Sequence, residues 1–153
     1  MISCGWAKVA DLLAEPNMRG LILDYFEELS PMKAVAPLDP DFERMIACEA
    51  QGIFRVWAAR QGGQVVGLVM LWIMPHLNYR STLFAFDAGH YLVPDLRDGH
   101  RWSGVRMWRG LIDALRELGV KVLLAHDNAQ RPLGPFFKRL GFEPRSTNYW
   151  LAL

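Results

Sequence analysis

The sequence is poor in cysteine: Cys4 and Cys48 are the only two in 153 residues. Neither sits in a Cys-x-x-Cys pair or beside a histidine, so nothing points to a metal centre, and two thiols without another secretory sign fit a reducing compartment. No charge of one sign dominates. Seventeen basic residues against sixteen acidic ones give a formal charge of +1, which removes the global electrostatic case for a nucleic-acid or anionic-membrane partner. Long apolar runs are missing as well. The most apolar one, Val65 to Met74, is too short to span a bilayer, and the N-terminal MISCGWAKVADLL lacks a basic segment followed by a long apolar one. The expected location is cytoplasmic. Repeats and biased linkers are absent too, so residues 1–153 are read as a single domain, large enough to bury a core. The apolar fraction of 52% argues against disorder.

The hydrophobic pattern changes period along the chain. Residues 6–15 and 18–29 have helical spacing, with Leu21, Ile22, Tyr25, Phe26 and Leu29 on one face. Ser30-Pro31 ends the second segment, and Asp39-Pro40 suits the start of a third helix over about residues 40–51. Phe54–Arg60 and Gln64–Met74 are β-rich runs around Gln61-Gly62-Gly63, a hairpin signature. A polar connection, His76–Ser81, leads to a strand over Thr82–Val93 that Pro94 stops. The clearest helix follows, with Val105, Trp108, Leu111, Ile112, Leu115 and Leu118 on one face and Gly119 after its end. A strand over Val120–Ala125, a short helix from Pro132 to Leu140 and a last strand over Thr147–Leu153 complete the reading. The order is that of a mixed α/β domain.

Chemistry concentrates between Tyr91 and Arg106. A strand, a proline stop, a loop carrying Arg97, Arg101 and Gly104, and then a helix N-terminus together resemble an anion cradle. Free amides of the first helical turn and the positive end of the helix dipole suit a phosphate, and arginines add charge-assisted hydrogen bonds. A basic surface loop whose glycines merely turn the chain has the same composition, and the residues alone leave both readings open.

This strand–loop–helix resembles the acetyl-CoA motif of the GNAT superfamily of N-acetyltransferases, Arg/Gln-x-x-Gly-x-Gly/Ala. Arg101-Trp102-Ser103-Gly104-Val105-Arg106 matches the first two fixed positions and departs at the third, where Arg106 replaces a small residue. Pro94 after the strand, Gly63-Gln64-Val65-Val66-Gly67 in the hairpin, and Asn128 followed by Phe136-Phe137-Lys138-Arg139-Leu140-Gly141-Phe142 add to the likeness. It covers about residues 50–145 and is nearest to the phage-associated branch.

The resemblance implies a mostly antiparallel central sheet flanked by helices, with the two central strands splayed apart. It implies acetyl-CoA as donor, an amine on a small molecule or protein as acceptor, and direct attack in a ternary complex. Leu92 and Val93 would hold the pantetheine arm. Arg97, Arg101, Trp102, Ser103, Gly104, Val105 and Arg106 would surround the pyrophosphate, with Asn128 and Phe137 further along the cofactor. Members often carry an acidic base on this strand, which makes Asp87 the first candidate and His90, with its near-neutral pKa, the second. Asp87 capping a backbone group and His90 merely packing remain the plain alternatives. By strict alternation Asp87 falls on the side of Tyr91 and Val93, opposite Leu92. Phe137 stands where the family has a tyrosine acid, so either the thiolate leaves unassisted, or Tyr91 or Tyr149 substitutes, or the domain is a non-catalytic acyl-CoA-binding module. An edge strand over 147–153 would also offer two copies a way to pair as a homodimer.

Overall fold

The computed structural model describes residues 1–97, 102–149 and 151. In chain order these form β1 (Ser3–Ala7), α1 (Val9–Leu13), α2 (Met18–Leu29), α3 (Phe42–Ala50), β2 (Phe54–Gln61), β3 (Gln64–His76), β4 (Tyr79–Leu92), α4 (Ser103–Glu117), β5 (Val122–Leu124) and α5 (Gly134–Arg139). A single 3-10 turn, Pro94–Leu96, follows β4. The strands lie side by side in sequence order. β1 to β4 are antiparallel and β5 runs parallel to β4. The result is the mixed α/β class, an open and mostly antiparallel sheet with helices on both faces.

Each face buries its own core. Val69, Leu71, Ala85 and Leu92 meet Met107, Trp108, Leu111 and Leu115 of α4 and Phe137 of α5. On the other face Phe54, Val56, Leu68 and Tyr91 meet Val9, Leu12, Met18 and Leu21. The alternation of side chains along the strands sorts them to the two faces. One polar contact pins α4 in place: the buried Trp57 indole Nε1–H donates to the Met107 carbonyl at 3.0 Å. Gly110 makes that approach feasible, because a Cβ there would lie 3.1 Å from the Trp57 ring.

The hairpin forms as its turn residues dictate, with Gly62 and Gly63 at φ of 59° and 86°, values that favour glycine. Elsewhere the pattern misled. Residues 6–15 are not one helix: Ser3–Ala7 pair with Arg60–Val56 as β1, and only Val9–Leu13 coil. Ser-Cys-Gly-Trp-Ala has a weak strand signature, and the free edge of β2 supplies the partner that decides it. The third helix is capped by Asp41 rather than Asp39, its carboxylate accepting from the Arg44 amide at 2.9 Å. The polar connection after β3 is a tight turn, since the strands continue to His76 and resume at Tyr79. The tail is not a strand in its described part: residues 147–149 and 151 are irregular, so no edge for pairing two copies is seen there.

Candidate functional site

The sheet opens along β4. β5 pairs with it at Phe84↔Val122, Ala85↔Leu123 and Phe86↔Leu124 and then departs. β4 runs on from Asp87 to Leu92 with β3 alone as its ladder partner among the described residues. A bulge sits where the opening begins. Leu71 faces Asp87 and Met70 faces Gly89, so Ala88 is the extra residue. The bulge reverses the alternation. Asp87 shares the face of Leu71, and three residues later His90 shares the face of Val69 with Leu92. Asp87 therefore lies on the α4 face with Leu92, not on the face of Tyr91 that strict alternation assigns.

Asp87 is 1% exposed and saturated with donors. Its carboxylate accepts from the Gly89 amide at 2.8 Å and the His126 amide at 3.2 Å, and contacts His90 Nδ1 at 2.7 Å. The first bond closes the bulge and the second spans the gap to the segment leaving β5. The third orients an imidazole: with Nδ1–H given to the carboxylate, Nε2 carries the free lone pair. The His90 ring meets Trp108 and Phe137 edge-on, with centroids at 5.3 and 5.8 Å.

Beside it lies a cavity of about 210 Å³ between the open half of β4, the start of α4 and the loop before α5, lined by His90, Leu92, Gly104, Trp108, Asn128 and Phe136 among others. Gly104 borders it closely. A Cβ there would stand 3.5 Å from Phe136 and 3.9 Å from Leu92, so a larger side chain would occupy the cavity. Trp102, at the head of α4, adopts φ of +54°, leaves its indole 73% exposed and gives the helix no side-chain cap. The first helical amides are thus not consumed by that residue. Ser103 is buried and Val105 half-buried in the first turn.

The remaining candidates divide. Arg97 lines the cavity but is held from within: it donates to the Leu92 carbonyl, pairs with Glu28 and lies with its guanidinium carbon 4.6 Å from the Tyr91 ring centre. Glu28 also receives Arg131 at 3.2 Å. The Arg106 guanidinium reaches 3.5 Å from the Ile2 carbonyl, toward β1 rather than the cavity. Val93 spends its amide on the Val66 carbonyl at 2.9 Å. Asn128 donates to the Leu29 carbonyl at 3.0 Å, tying the α5 approach to the end of α2. Phe137 is buried behind His90, and Asp127 caps the approach to α5 through the Leu133 amide at 2.5 Å. Arg101 lies outside the described residues, as do Asp98, Gly99 and His100.

Sequence reasoning overlooked Tyr25 and the Glu28–Arg97–Arg131 cluster. A glycine inside a strand was the available signal for the bulge, and a Cβ on Gly89 would stand 2.6 Å from the Tyr25 hydroxyl. Burial chiefly, and the Asp87 charge secondarily, push the Tyr25 phenol above its ordinary 10.0. Burial likewise raises Tyr91.

No family model matches the chain, and no curated protein is significantly similar to it in sequence. Solved structures do match along its whole length. A transcriptional regulator from Bacillus halodurans C-125 is 18% identical with a TM-score of 0.76, covering 100% of both chains. An aminoglycoside acetyltransferase from an uncultured soil metagenomic sample is 12% identical with a TM-score of 0.76, covering 100% of this chain and 99% of its own. A GCN5-related N-acetyltransferase from Ralstonia eutropha JMP134 is 18% identical with a TM-score of 0.72, covering 99% of each chain. The fold is that of the GCN5-related N-acetyltransferases. None of the three bears on the phage-associated branch.

Proposed function

We propose that this protein is an N-acetyltransferase that moves the acetyl group of acetyl-CoA to a primary amine. The observation that carries the reading is the parting of β4 from β5 after Phe86 and Leu124, with a cavity at the gap that ends on the α4 N-terminus. Backbone groups that a departing neighbour strand leaves without a ladder partner suit an amide-bearing pantetheine arm, and a helix start that the Trp102 side chain does not cap suits a diphosphate. Gly104 fits this use, because it lines the cavity beside Phe136 and Leu92, where a bulky side chain would fill the space.

Bound acetyl-CoA supplies an activated acyl carbon and a thiolate leaving group. His90 accepts the amine proton at Nε2 as the nitrogen–carbon bond forms and the carbon–sulfur bond breaks. Asp87 acts through His90, fixing the tautomer and stabilising the imidazolium that forms. Phe137, packed against the ring, offers no proton to the thiolate. A thiol with an ordinary pKa near 8.5 is a tolerable leaving group without one. Arg97 steadies the Leu92 end of the strand, and the fit of a phosphate falls to the amides of Ser103, Gly104 and Val105.

Calorimetry with acetyl-CoA, followed by thiol release over an amine panel, tests the reading. Saturable binding with amine-dependent release supports it. Binding without release on any amine would leave a non-catalytic acyl-CoA module, and absence of binding would sink both.

A further inference from the structure

A second and larger cavity, about 370 Å³, lies on the opposite face of β4. Its walls include Ile22, Tyr25, Phe26, Met32, Phe42 and Met70, from α2, the segment after it, α3 and β3. Its floor is Ala88, the exposed extra residue of the bulge, together with Tyr91, which borders both cavities. The Tyr25 hydroxyl reaches the bulge backbone from this side, since it would lie 2.6 Å from a Gly89 Cβ. Asp87 and His90 stand on the opposite face of the strand. The two cavities thus lie on opposite faces of the open strand and share Tyr91 as a lining residue.

We infer that this second cavity receives the acceptor, and that the acceptor is a primary amine carried on an apolar body, aromatic or branched aliphatic. The inference rests on the acyl-transfer reading above and adds the substrate class. Charge carries it. Among the described lining residues there is no lysine, arginine or histidine, and the one carboxylate, Asp39, is exposed. A polycationic or sugar-like amine would lose its water here and find almost no counter-charge or hydrogen-bond partner. An apolar body gains by leaving water. The same surroundings favour the neutral amine over the ammonium, because burial away from counter-charge disfavours the charged form. The nitrogen then arrives with its lone pair free, and His90 takes the proton it loses as the bond to carbon forms. Tyr25, whose hydroxyl lies against the bulge backbone at Gly89, offers a hydrogen bond on this face of the strand.

The test uses the full chain, acetyl-CoA and five amines: 2-phenylethylamine, isoamylamine, ethanolamine, 1,4-diaminobutane and kanamycin. The two apolar amines should exceed ethanolamine in kcat/KM by about 100-fold, the range a shaped apolar pocket supplies. Met32→Glu puts a carboxylate on a wall residue that is already 40% exposed. It should cut that preference at least about 10-fold and raise the diamine, while Met32→Gln, of similar size, should change it far less. Acetyl-CoA affinity should be the same in all three proteins. If acetyl-CoA binds but the diamine or kanamycin is preferred, or the panel is flat, or the apolar amines release no thiol, the acceptor class is wrong while the donor site stands. If acetyl-CoA does not bind, the acyl-transfer reading falls and takes this inference with it.

Discussion

The two cavities flanking β4 are built from the same strand and differ in chemistry. The one under α4 is the smaller, about 210 Å³ against about 370 Å³, and gathers His90, Arg97, Asn128 and Arg131. The one under α2 is lined by leucine, methionine and aromatic side chains, with Tyr25 as its polar point near the strand. A single extra residue separates the two roles. Without Ala88 bulging, Asp87 and His90 would fall on opposite faces, and no carboxylate–imidazole pair would form. The lesson is that one break in a strand's pleat, at the place where its neighbour leaves, can give the two faces of that strand different chemistry.

The comparison can be broken hardest on the donor side. Gly104→Glu should abolish acetyl-CoA binding, at least about a 100-fold loss by calorimetry, since bulk and a carboxylate would enter the cavity beside the helix amides. Retained affinity would overturn the placement of the donor. His90→Gln should lower kcat by about 100- to 10,000-fold with acetyl-CoA affinity intact. Asp87→Asn should lower kcat less and displace the pH–rate profile, because the carboxylate works through the imidazole. It should also cost about 1–3 kcal/mol of stability by chemical denaturation, as the buried carboxylate accepts from three part-buried donors. An unchanged profile in Asp87→Asn would reduce that residue to a cap for the bulge.

Smaller effects separate the faces structurally. Trp57→Phe removes the bond to the Met107 carbonyl, which keeps its acceptance within α4, for an expected loss of about 0.5–1.5 kcal/mol in urea unfolding. Because the bond anchors α4, acetyl-CoA affinity should fall with it. The apolar face should respond only to alkali. Tyr25 and Tyr91 have raised phenol pKa values in the fold. Their contribution to stability is therefore whole below the unfolded value near pH 10 and fades as the pH climbs through the folded value. Tyr25→Phe should make the decline of stability above pH 10 shallower, with little change at pH 7. Identical alkaline slopes would show that Tyr25 is no more protected than a free phenol.

Local signals made much of this legible. Gly62-Gly63 announces the β2–β3 turn, the apolar stripe of α4 appears at its observed place, and Gly119 follows the helix with φ of 81°. Each depends on neighbours within a few residues, where steric preference and period suffice. β1 was illegible because a five-residue strand with only one strong strand former, Trp6, takes its identity from the edge it joins, some fifty residues away. The motif at Gly104 was legible for the same local reason as the turn. The partners of Arg97 and Arg106 were not: Glu28 and Ile2 approach from far along the chain, and a sequence motif counts arginines without saying which are already engaged.

Sequence by itself determined the class of fold, the helix whose N-terminus borders the cavity beside His90, and the pair Asp87 and His90 as the residues worth weighing for proton transfer. Tertiary structure alone decided how they sit, by shifting the pleat so that the buried Asp87 carboxylate meets the His90 imidazole on one face of the strand. It also decided that the opposite face holds an apolar cavity. The reason is physical: periodicity and turn preference act over a few bonds, whereas a bulge, a gap between strands and the lining of a cavity exist only once distant segments compete for the same hydrogen bonds and the same volume.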